Sequence, residues 1–185
     1  GTRFGADPVA VASQALGDPC SGTGDWFWGV ELAARCCAAA ADEGGVILRE
    51  FAVDRGALAL VVRGLDRLLS DPPVRARPLS RCIAVVHAGV LLCAACKNTR
   101  VRTALLELSP ALVKTACRAF VAGFKLAHSE QHFEGMQYAA SALCDMILVE
   151  HDSVLEGYME SGAPDALATV ALQRMTTEQG APRRM

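Results

Sequence analysis

Three stretches of this chain follow one plan at a fixed interval: an apolar helical run, a break, then a second apolar run. The breaks are Gly56, Ser109 and Gly162, 53 residues apart each time. The copies read ILREFAVDRGALALVVRGLDRLL from Ile47, VRTALLELSPALVKTACRAFVAGF from Val101 and VLEGYMESGAPDALATVALQ from Val154. A helical unit of this size can bury its apolar face only against the copies before and after it, so the interval predicts a stacked helical array. Hydrophobic residues make up 52% of the chain, enough for a continuous core, and only 5% is aromatic, which with the abundant alanine and leucine favours close-packed helices over a sheet sandwich. The predicted class is all-α.

A formal charge of −2 gives no bulk attraction to nucleic acid or to an anionic membrane. Most of the eight cysteines lie inside apolar helical runs (Cys36, Cys37, Cys82, Cys93, Cys96, Cys117, Cys144) and not in a short, loop-rich disulfide framework. That usage predicts a reducing, cytoplasmic setting. The longest apolar stretch, Cys82 to Cys96, contains His87 and is short for a membrane span, so a buried helix is expected. No basic flank followed by an apolar core marks a secretory signal. With Gly1 in place of a start methionine, the chain reads as an excised or processed piece, expected to belong to a longer repeat array.

Residues 1–24 hold one short apolar patch, Val9 to Leu16, and then the helix-breaking GDPCSGTGD, which together predict a capping segment and a loop. The repeat domain is placed at 25–174, and 175–185 is expected to be a flexible tail. Within the domain, helices are predicted over 26–41, 47–55, 57–69, 80–96, 100–108, 110–127, 136–149, 153–161 and 164–174. Three prolines exclude helix from Asp71 to Leu79, so Ser80 is the expected cap of the long helix and Asn98 its end. Pro110 suits a first helical turn, where its missing N–H is no loss.

The order of short helix, Gly-Ala or Ser-Pro-Ala corner, second helix, loop and longer third helix resembles the armadillo repeat, most closely in VLEGYMESGAPDALATVAL and FAVDRGALALVVRGLDRLL. The resemblance covers 26–174, with loops at 71–79 and 126–134 lengthening the usual period of about 42 residues. It implies a right-handed α-solenoid of about three repeats whose third helices (26–41, 80–96 and 134–149) line a concave face that holds peptides or helices. Import receptors of that family clamp a peptide with Trp and Asn; the matching positions here are Cys36, Gly89 and Ala142, and Ala40, Cys93 and Met146, so that clamp is missing.

A stripe of small or apolar residues stands in its place: Ala33, Cys36 and Ala40, then Cys82, Val86, Gly89 and Cys93, then Ala139, Ala142 and Met146. Small side chains admit a close helix, either an apolar helix of a partner or simply the neighbouring third helix. A second surface is basic: Arg63 and Arg67 on one second helix, Lys114 and Arg118 on the next.

Chemistry is sparse. Cys93 and Cys96 have half the spacing of a zinc site, but no matching pair follows, and they fall at a helix C-terminus where a thiolate is not stabilised. His128 and His132 are four apart without a zincin motif, and Glu150-His151-Asp152 reads as a helix junction. No phosphate loop or nucleophile elbow appears. The expectation is a non-catalytic interaction scaffold or complex subunit without cofactor or metal, taking a protein or peptide partner. Two alternatives stand beside it: a metal-binding or enzymatic helical domain using His128/His132 or Cys93/Cys96, and phosphate or nucleic-acid binding on the basic face.

Overall fold

The computed structural model describes residues 29–31, 53, 56–70, 72, 77–98, 101–103, 110–148 and 152–180. Among them every regular element is helical and there is no strand. The helices are α1 (Ala57–Ser70), α2 (Pro78–Lys97), α3 (Pro110–Ser129), α4 (Phe133–Ile147), α5 (Asp152–Glu160) and α6 (Ala163–Gly180). The expected N-terminal segment, the 26–41 helix apart from residues 29–31, most of the 47–55 helix and the Ser109 corner lie outside the described residues.

The apolar spacing of α1 makes it a helix that buries one face. Leu58, Val61, Val62, Leu65 and Leu68 are buried while Arg63 and Arg67 are exposed. It starts at Gly56, whose φ of +65° is a left-handed conformation that glycine adopts without strain. Gly162 has φ +73° and the same role before α6. The bonding repeats too: Gly56 N–H donates to Val53 O (3.0 Å) and Gly162 N–H to Met159 O (3.2 Å), while Leu60 N–H donates to Gly56 O (3.2 Å) and Ala166 N–H to Gly162 O (3.1 Å). The two glycines stand at twice the 53-residue interval, so the sequence period has a backbone counterpart at both corners.

Helix α2 begins two residues earlier than its expected cap at Ser80. Arg77 is extended (φ −66°, ψ 147°), as a residue before proline prefers, and Pro78 takes the first helical position. The proline that argued against helix is therefore its first residue, and no side chain caps the start. Asn98 ends α2 as expected, donating its N–H to Ala94 O (3.2 Å), and also opens the next turn, its Oδ1 accepting from Val101 N–H (3.2 Å). With 20 residues and mean hydropathy 1.9 over its most apolar window, α2 is long and apolar enough to cross a membrane, longer than the 82–96 stretch implied, yet most of it is buried by neighbouring helices.

The polar stretch expected as a loop at 126–134 is mostly helix. α3 runs to Ser129, and the chain turns through Gln131 at φ +55°, with His132 N–H reaching back to Ala127 O (2.8 Å). His132 then caps α4, its Nδ1 accepting from Gly135 N–H (2.9 Å). At the other end α6 continues to Gly180, past residue 174.

One buried cluster runs from Val30 to Ala166, with Phe120, Leu58, Leu65, Leu91 and Leu143 wholly enclosed and no polar side chain buried among the described residues. α2 and α4 make the most extensive contact, and α3 packs on α4, α1 and α5. Two glycines set the approach of the central helices: a Cβ on Gly89 would lie 3.0 Å from both Tyr138 O and Tyr138 Cβ, and one on Gly123 would lie 2.7 Å from Val85 Cγ2. Leu58, Val62, Leu92, Ala116 and Met146 border an apolar cavity of about 50 Å³ where α1 to α4 meet.

Candidate interaction surfaces

The small-residue stripe is where α2 meets α4. Cys82, Val86, Gly89, Cys93, Ala139, Ala142 and Met146 are all buried. These residues therefore form a contact within the chain, and among the described residues they line no open groove: once Gly89 admits the Tyr138 backbone to van der Waals distance, no room is left there for a foreign helix. Ala33, Cys36 and Ala40 lie outside the described residues.

The opposite side of α4 is open. Phe133, Gln137, Ala140, Ser141, Cys144 and Leu148 follow one another at helical spacing; Phe133 is 70% exposed, Leu148 68%, and only Ala140 is half-buried. Along this face runs a groove of about 480 Å³, walled by Phe124 of α3, by Phe133, Met136 and Ala140 of α4, and by Leu167 and Ala171 of α6. Large apolar residues at the ends of this face, Phe133 and Leu148, small ones between them at Ala140 and Cys144, and a polar strip at Gln137 and Ser141 suit an amphipathic helix. Sequence reading missed this face because it ranked residues by small size, which marks close contacts already made, whereas 133, 137, 140, 144 and 148 are mixed in size and polarity.

The basic residues divide. Arg63 and Arg67 are exposed on α1. Arg118 forms a two-pronged pair with Asp66 of α1, Nε to Oδ1 at 2.9 Å and Nη2 to Oδ2 at 2.6 Å. Lys114 Nζ lies 3.1 Å from Glu156 and 3.2 Å from Glu160 of α5, and the hydrogen bonds it donates to these carboxylates push its pKa up. The expected patch is thus a ladder of alternating charge joining α1, α3 and α5, with most of its cationic character balanced locally.

Burial pushes Cys93 up to about 12, helped by a hydrogen bond to Asp145, and pushes Cys96 up to about 12, helped by the Asp145 charge. Burial also raises Cys117, to about 11. Such thiols are protonated at neutral pH and poor as nucleophiles or metal ligands. Lys97 Nζ lies 3.5 Å from Asp145 Oδ2, an ion pair without hydrogen-bond geometry. His132 spends Nδ1 on its cap, so presenting both His128 and His132 to one metal would leave the start of α4 uncapped. Among the described residues no three His, Cys, Asp or Glu side chains gather as a metal site would require. His87 is half-buried in α2. No family model, curated protein or solved structure matches the chain, so its armadillo likeness rests on the residues quoted above.

Proposed function

We propose that this chain is a non-catalytic interaction module of the armadillo-like solenoid type, which holds an amphipathic partner helix against the outer face of α4. The observation that carries this is the open stripe from Phe133 to Leu148 beside the groove shared with α3 and α6. Two features support the repeat reading: the same glycine corner with the same hydrogen bonds before α1 and α6, and third helices stacked side by side as α2 and α4. In such a stack α2 covers one side of α4, and the opposite side of α4 is the next docking position. The partner helix then occupies the place another third helix would take, with small residues toward Ala140 and Ser141 and larger apolar ones toward Phe133 and Leu148.

A photo-crosslinking amino acid at position 140 or 133, introduced into the chain in its source cells, tests this. Crosslinks to one partner segment of helical, amphipathic sequence are expected at 133 and 140 and not at Arg63 or Lys125. Crosslinks confined to 63 or 125 would overturn the reading, as would binding undiminished by Ala140→Glu.

A further inference from the structure

The open face of α4 has the same order of side-chain sizes from either end. Its centre lies between Ala140 and Ser141, with Gln137 and Cys144 equally far on either side and Phe133 and Leu148 equally far beyond those. Large apolar side chains therefore close both ends, a medium-sized one follows inward on each side, and small ones hold the middle. All six share one side of the helix, and all are exposed except half-buried Ala140. A two-fold interface asks for this order, because a residue that meets another across the axis is met in return by the same pair at the far end.

We propose that the amphipathic helix held on this face is α4 of a second copy of the chain, the two helices running antiparallel about a two-fold axis between Ala140 and Ser141. This rests on the docking role proposed for the face and names its occupant. In this register Phe133 of each copy packs on Leu148 of the other, so an apolar contact closes each end. Gln137 lies level with Cys144, and at the crossing Ala140 and Ser141 meet their own counterparts, small enough for the two helix axes to come close.

Charge favours the same arrangement. No charged residue stands on the stripe, and the two acids beside it, Glu134 and Asp145, fall level with Ile147 and Met136 of the other copy, so neither acid faces an acid. The antiparallel alignment also sets the positive end of each helix dipole beside the negative end of the other, whereas a parallel pair would set like ends together. With the rim that Leu167 and Ala171 add from α6, the contact should cover on the order of 500 Å² of each copy, below the roughly 800 Å² typical of stable complexes. Association is therefore expected at tens of micromolar, on the order of 10 to 100 μM.

Sedimentation velocity of the full chain, followed from about 1 to 200 μM with a reductant present to keep Cys144 from crosslinking, tests this. A monomer is expected at the low end and a dimer at the high end. Ala140→Glu, which brings two carboxylates together at the axis, should weaken association about tenfold or more. The register is read from Phe133→Glu and Leu148→Lys. Each variant alone should associate about tenfold more weakly, and an equimolar mixture should recover most of the dimer. In the mixed pair opposite charges meet at one end, while the native Phe133 and Leu148 meet at the other. A dimer indifferent to Ala140→Glu, or a mixture no better associated than its two components, would overturn the inference. A chain monomeric throughout that still crosslinks a foreign helix at 133 and 140 would remove the second copy and leave the docking face standing. A monomer without such crosslinks would remove both.

Discussion

At Gln131 the chain holds a side-chain-bearing residue at φ +55°, a conformation that costs an L residue about 1 kcal/mol. Gln131→Gly removes that cost and returns part of it as unfolded-state entropy, so urea denaturation should show a net gain of roughly 0.5 kcal/mol. Asn98 is a case of the opposite sign, because its side chain supplies the acceptor for Val101 N–H. Asn98→Ala should cost about 1 kcal/mol, and Asn98→Asp should recover most of it. Asn98 was legible in the sequence as a helix end, since asparagine after an apolar run has few other uses. The Gln131 turn was not, because nothing in HSEQHFEG marks which residue turns left-handed.

Gly89 belongs to the scale of the element, where a missing side chain fixes how near two helices come. Alanine there would add about 1 kcal/mol of helix propensity, but its Cβ would stand 3.0 Å from the Tyr138 carbonyl oxygen, a backbone atom that cannot swing aside. Gly89→Val, larger and stiffer, should destabilise the chain by roughly 2 kcal/mol in thermal or urea unfolding. The Arg118 and Asp66 pair contrasts with it: Arg118 is largely exposed, so Arg118→Ala should cost less than about 1 kcal/mol and less still in high salt. Helix existence was legible from apolar spacing for α1, α3 and α4. Their boundaries were less so, because Pro78 and His132, read as breakers or loop residues, serve as the first residue of α2 and the cap of α4.

Across the whole molecule, Cys93, Cys96 and Cys117 share one pH dependence. Each has its pKa raised in the fold above the ordinary 9.0, so above about pH 9 the unfolded chain releases these protons while the folded chain keeps them. Stability that is intact below pH 9 should fall as pH rises toward 11 or 12, by roughly 1 kcal/mol per thiol per pH unit, as unfolding followed from pH 8 to 10.5 would show. Cysteine-to-alanine replacement at 96 should flatten the slope. The sequence alone determined the helical class and the glycine corners at Gly56 and Gly162, because these depend on local preference. Only the tertiary structure decided which small residues were already spent on the α2 and α4 contact, which cations were paired across helices, and which face of α4 stayed open. Burial and pairing depend on what lies opposite a residue in space, and the partners of Gly89, Lys114 and Arg118 all stand more than forty residues away along the chain.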